Sequence, residues 1–178
     1  MRWRRTDRRR VHDCRVFKLD EVHYAPPGGG GAGRFYVLDT PDWINVIPLT
    51  PAGEVVFVRQ FRFGIDKVTL EIPGGMCDPG EEPPAAARRE LLEETGYSTD
   101  DWVELGWVHP NPPLQTNRCF TYLARDAEPV GEPALDPNER IEVVTYPLAS
   151  VPARIDSREI SHALVIAAFA LLDRHGRH

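Results

Sequence analysis

The chain has 178 residues, enough for one domain with a substantial core, and 42% apolar with 27% charged residues is a globular composition. No apolar run reaches the ~18 residues of a membrane-crossing helix, and arginines with no apolar leader open the sequence, so a cytoplasmic protein is expected. The net charge of −6 argues against a nucleic-acid surface over the body, and three scattered cysteines (Cys14, Cys77, Cys119) argue against a disulfide framework or zinc site.

Residues 1–10 carry six Arg and one Asp, a net of +5 against −11 over the rest. Such an arm binds nucleic acid or an anionic membrane, or is a solvated, poorly ordered terminus. No second aromatic-and-basic patch accompanies it, so a disordered arm with neither partner is expected. Cys14–Tyr24 and Arg34–Leu38 read as strands joined by the flexible PPGGGGAG, an antiparallel hairpin within residues 11–40. Asp42–Leu49, Glu54–Phe61 and Val68–Ile72 are further strands. Alternation puts Arg59, Phe61 and Phe63 on one side of their strand, and Gln60 and Arg62 on the other.

A helix is expected from Pro83 to Gly96: two prolines suit its first turn, three alanines propagate it, and the glycine stops it. Asp101–His109, Arg118–Asp126 and Ile141–Leu148 are strand-like. The proline-rich segments His109–Asn117 and Glu128–Glu139 are loops. Asp156 and Glu159 form a capping box for a final apolar helix, Ile160–Leu172. Strands with one central and one terminal helix make a mixed α/β (α+β) sandwich.

The central helix is charged the wrong way round. Glu93 and Glu94 occupy its last turn, where the macrodipole is negative, and Glu90 repels Glu94 at i, i+4 by a few tenths of a kcal/mol. A solvated acidic face would intersperse lysines, and here there are none; only Arg88 and Arg89 lie nearby. Clustered hard oxygens suit Mg²⁺ or Mn²⁺, whose charge reverses the penalty. Pro73–Gly75 bends the chain so that a backbone carbonyl adds a further ligand.

Gly75, Glu81, Arg89, Glu90, Leu91, Glu93, Glu94 and Gly96 match G-x5-E-x7-R-E-U-x-E-E-x-G-U, where U is a bulky aliphatic residue, with Tyr97 in the last U position. This resembles the Nudix hydrolase signature. The flanking WINVIPLTPAGEVVFVRQFR and GWVHPNPP resemble the ADP-ribose and nucleoside-diphosphate-sugar pyrophosphatase branch, as does Pro112, sixteen residues beyond Gly96. The resemblance implies an α/β/α sandwich with a mixed sheet, a catalytic loop-helix, a C-terminal helix and an N-terminal antiparallel hairpin. It lays residues 41–178 out as the Nudix domain and residues 11–40 as a dimer-forming hairpin.

The same resemblance implies cleavage of a phosphoanhydride with Mg²⁺, or Mn²⁺, held by Glu90, Glu94, Glu93 and the Gly74 carbonyl. Arg89 and Glu81 become a structural brace, Glu81 being otherwise a metal ligand. The general base falls in LDPNERIEV, on Glu139 with Asp136 second; alternatively Glu139 binds metal and Glu93 or Glu90 handles the water. Arg62 is expected at the substrate phosphates, or else as an edge arginine paired with an acid. Arg59 is its neighbour candidate, Trp43 and Tyr36 are candidates for stacking a base, and Asn117 and Arg118 for lining the site. A homodimer acting on a nucleotide sugar is implied. The alternatives are a nucleoside triphosphate pyrophosphohydrolase and a ligand-sensing regulator, the latter opposed by the intact motif.

Overall fold

Continuously buried, largely apolar runs such as Ile44–Ile47 and Cys119–Ala124 form strands buried on both faces, which places them in the middle of a layered fold. The computed structural model describes residues 1–135 and 140–176, and its chain divides into two units. The expected loop acids Asp136 and Glu139 lie outside the described residues.

The first unit, Met1–Asp42 with His109–Arg118, holds an antiparallel sheet in the order β1 (Arg4–Asp13), β2 (Lys18–Ala25), β3 (Gly33–Asp39). The disordered arm is therefore corrected: residues 4–13 are a strand, exposed along its length, paired antiparallel with β2 from Arg4 opposite Ala25 to Asp13 opposite Lys18, with register shifts between Arg5 and Asp7 and between Arg10 and His12. Self-repulsion among arginines is overcome by carboxylates that composition does not reveal. Arg8 and Arg10 both donate to the buried Asp20, and both reach Asp39 Oδ2, at 2.8 and 3.2 Å. Within the same unit the Leu38 N–H donates to the Leu114 carbonyl at 2.8 Å, tying the proline-rich segment to β3.

The second unit, Trp43–Val108 with Cys119–His178, is built on a mixed sheet in the order β7 (Gly74–Met76), β4 (Trp43–Pro48), β10 (Cys119–Arg125), β9 (Asp101–Val108). β4 and β10 run parallel; the other pairs are antiparallel. An antiparallel sheet orders β12 (Ile141–Pro147), β5 (Glu54–Arg62) and β6 (Lys67–Glu71), and β8 (Tyr97–Ser98) pairs with β11 (Glu128–Pro129).

Ile44 and Val46 of β4, with Phe120, Tyr122 and Ala124 of β10, pack on Ala86, Ala87 and Leu91 of α1 (Pro83–Thr95). The opposite face of those two strands, Ile47 and Leu123, packs with Phe57, Leu70 and the helix α3 (Ala163–His175) through Val165, Ala168 and Phe169. A helix thus lies on each side of the mixed sheet, as expected. No described helix is long and apolar enough to cross a membrane.

Two local expectations change. Asp156 closes α2 (Val151–Asp156) and caps nothing, because Pro152 in the first turn starts a helix earlier and Arg158, at φ 65°, breaks it. Helix α3 starts at Ala163 without a side-chain cap, and Glu159 pairs with Arg154 at 2.5 Å. The loop after β6 contains a strand of its own, β7. A side chain at Gly74 would put its Cβ 2.4 Å from the Ile44 carbonyl oxygen, so only glycine allows this pairing.

Candidate active site

Helix α1 starts on Pro83 and Pro84 and ends at Gly96, whose φ of 72° needs glycine and whose N–H donates to the Leu92 carbonyl at 2.8 Å. No basic residue stands in its last turn. The repulsion among its acids is met from one turn earlier. Arg89 forks onto Glu81, with Nε at 3.0 Å from Oε1 and Nη2 at 2.8 Å from Oε2. Its Nη1 donates to Glu90 at 2.8 Å and to Glu93 at 3.1 Å, and Nη2 also donates to the Met76 carbonyl at 3.1 Å. These hydrogen bonds hold Glu81 below the usual carboxylate range and raise Arg89 above its ordinary value. Glu81 Oε2 in turn accepts the Asp78 N–H at 2.9 Å, so the ion pair spans the loop and the helix.

Glu94 is buried, 4% exposed, and its Oε2 accepts the Gly74 N–H at 2.9 Å. Glu90 lies against the next residue: a Cβ at Gly75 would sit 2.2 Å from Glu90 Oε1. The two carboxylates therefore line the same two-residue stretch of backbone, while Glu93 is the most exposed of the three, at 45%. Among the described residues no three His, Cys, Asp or Glu side chains converge on one point. The donor set still fits a hard cation, because the Glu90 and Glu94 carboxylates lie along Gly74–Gly75, two residues with no side chain to obstruct them.

Arg62 and Glu71 share one face of the β5–β6 hairpin, and their side chains meet as a fork, Nε to Oε1 at 2.8 Å and Nη2 to Oε2 at 2.6 Å. Thr69 Oγ1 donates to Glu71 Oε1 at 2.6 Å. Burial pushes Glu71 up, but Arg62 and Thr69 outweigh it and hold the carboxyl below its usual range. His162 adjoins this group; burial pushes its imidazole down, Glu71 pulls it up and Arg62 opposes protonation. Its Nδ1 is buried without a hydrogen-bond partner among the described residues.

Arg59 takes the opposite side of β5, as alternation requires. It donates to Tyr146 Oη at 2.6 Å and faces Glu142 and Glu159 at 3.5 and 3.7 Å. Trp43 opens β4 with its indole Nε1 buried and unpartnered among the described residues. In the first unit, Asn117 is 2% exposed with both amide atoms in the same condition. Arg118 forks onto Asp42 at 3.2 and 2.7 Å, and Tyr36 donates to Glu21 at 3.1 Å on an exposed face.

Thr69, Glu71 and His162 escaped the sequence reading. The signal for two of them was present: in VTLEI an acid and a threonine at i, i+2 share a face with Arg62 once the hairpin register is known. His162 carried none, since its place beside Glu71 depends on where α3 docks.

A family model for the NUDIX domain matches residues 40–168. The chain is 30% identical over 144 residues to an ADP-ribose pyrophosphatase of Bacillus subtilis, covering 80% of this chain and 78% of that one. It is 28% identical over 159 residues to an ADP-ribose pyrophosphatase of Mycobacterium tuberculosis, covering 88% and 76%. A crystal structure of an ADP compounds hydrolase superposes with a TM-score of 0.86 over 98% of this chain and 94% of that one, a likeness of fold at 21% identity.

Proposed function

Because this chain belongs to the NUDIX domain family and is a Nudix pyrophosphatase, we propose that it hydrolyses the phosphoanhydride of a nucleoside diphosphate sugar such as ADP-ribose. The products are a nucleoside monophosphate and a sugar phosphate. The observation that carries this reading is the braced acidic helix: Arg89 and Glu81 lock the loop to α1, and Glu90 and Glu94 lie along Gly74–Gly75. The pyrophosphatase relatives supply the substrate class.

Glu90, Glu94, Glu93 and the Gly74 carbonyl would hold Mg²⁺ or Mn²⁺, which supplies charge neutralisation on the two phosphates and a more acidic bound water. Arg89 already contacts Glu90 and Glu93, so it sets how far those carboxylates must move to serve a cation. Arg62, whose Nε and Nη2 donate to Glu71, binds the substrate phosphates through the exposed side of its guanidinium. Glu139 takes the proton from the attacking water, or else Glu93 or Glu90 of α1 does. The water oxygen bonds to phosphorus as the anhydride P–O bond breaks. A homodimer through the N-terminal sheet belongs to the same proposal; β1 is an edge strand there.

The test is a panel of ADP-ribose, other nucleotide sugars, NADH and nucleoside triphosphates, with Mg²⁺ or Mn²⁺ and products identified by phosphorus NMR. AMP with ribose 5-phosphate from ADP-ribose is expected. Pyrophosphate released from triphosphates, with no turnover of any nucleotide sugar, would replace this reading by the triphosphate one.

A further inference from the structure

A carboxylate that is 2% exposed is expensive to bury, and an apolar pair of similar volume in place of the Arg62–Glu71 ion pair would be no less stable. Glu71 is nonetheless built in with care. Arg62 forks onto both of its oxygens at 2.8 and 2.6 Å, and Thr69 donates to one of them at 2.6 Å. The pair is asymmetric. Glu71 is enclosed while Arg62 is 40% exposed, so the cation is the member a ligand can reach. A buried anion gripping a reachable guanidinium fixes that guanidinium in position and orientation.

The segment leaving Glu71 runs directly into the acidic cradle. Three residues on, the Gly74 N–H donates to Glu94 at 2.9 Å, and between them the Pro73 carbonyl accepts the Val46 N–H at 2.8 Å. Residues 71–74 are therefore pinned at both ends, by Arg62 on one side and by β4 and α1 on the other. We infer that Glu71 is the positioning residue of Arg62: it sets the guanidinium at a fixed reach from Glu90 and Glu94, so that a substrate diphosphate meets both at once. This rests on the reading that Arg62 binds the substrate phosphates. Glu71 itself touches no substrate.

The experiment is a double-mutant cycle of Glu71→Gln, Arg62→Lys and the pair, read as KM and kcat on the best substrate of the panel, with Mn²⁺ binding followed by EPR. Glutamine keeps the shape of the side chain but turns one acceptor into a donor, so the fork is spoiled. KM is expected to rise about tenfold or more in each single variant while kcat and Mn²⁺ affinity stay within about twofold, and the double variant should be no worse than either. Additive losses, or a Glu71→Gln KM within twofold of wild type, would overturn the inference. A second readout needs no substrate: by NMR titration the His162 pKa should fall further in Glu71→Gln, because the anion that pulls it up is gone. An unchanged His162 titration would also overturn it. Failure of wild type on every nucleotide sugar is a different result, and sinks the functional reading first.

Discussion

The Gly74 amide donates to Glu94 Oε2 at 2.9 Å across twenty residues of sequence, fastening the turn after β6 to the last turn of α1. Backbone geometry and a buried acid are thereby made one unit. Glu94→Gln tests what the charge adds, since its amide oxygen can still accept the Gly74 N–H. Folding is expected to stay near native, while kcat falls by about a hundredfold or more and Mn²⁺ affinity drops. Activity above about a tenth of wild type would remove Glu94 from the ligand set.

Gly75→Ala separates packing from chemistry. The new Cβ would lie 2.2 Å from Glu90 Oε1 and 2.5 Å from its Cδ. Those atoms end a flexible side chain, so Glu90 swings away at a cost of about 1 kcal/mol. The melting temperature should therefore fall by only a few degrees, whereas activity should fall at least about a hundredfold as Glu90 leaves its place. A variant that loses stability and activity in proportion would assign Gly75 a structural role alone.

Arg89→Met removes the brace and leaves Glu81, Glu90 and Glu93 without their guanidinium. A loss of about 1 to 3 kcal/mol at neutral pH is expected. Glu81 titrates below its ordinary 4.5 in the folded chain because Arg89 stabilises its charge. Its contribution is thus complete above 4.5 and fades as pH falls through the lowered folded value. Urea unfolding across the acid range should show wild type and variant converging below that point. A constant gap between them would mean that Arg89 acts through packing.

Asp20→Asn tests the N-terminal unit. Asp20 is 1% exposed and takes hydrogen bonds from both Arg8 and Arg10, so the neutral variant leaves two arginines facing each other across one amide. Hydrogen exchange of the β1 amides should accelerate by roughly tenfold or more, with the amides of β4 and β10 unchanged. Unaltered β1 protection would show that backbone pairing with β2 suffices without the carboxylate.

Much of the candidate site is legible in the sequence because its spacing is local. From Gly75 to Gly96 every named position lies within 22 consecutive residues, and a 3.6-residue period places Glu90, Glu93 and Glu94 together whatever the rest of the chain does. The strand runs were legible for the same reason, since alternation is a property of neighbours. Where the reading missed, a distant partner decided. Arg8 and Arg10 looked like a solvated arm until Asp20 and Asp39 stood beside them. Asp156 looked like a cap because the left-handed break at Arg158 has no signature in that residue type.

What the sequence determined by itself was the acidic helix, its glycine turn and the Arg89–Glu81 spacing, since carboxylates repelling at the wrong end of a helix demand a countercharge. What only the tertiary structure decided was who answers that demand and where. Arg89 turns back to Glu90 and Glu93, the Gly74 amide takes Glu94, and Arg62 is committed to a buried Glu71 through the register of one hairpin. Hydrogen bonds reach only about 3 Å, so pairing is settled by how strands and helices pack, which no local pattern of residues contains.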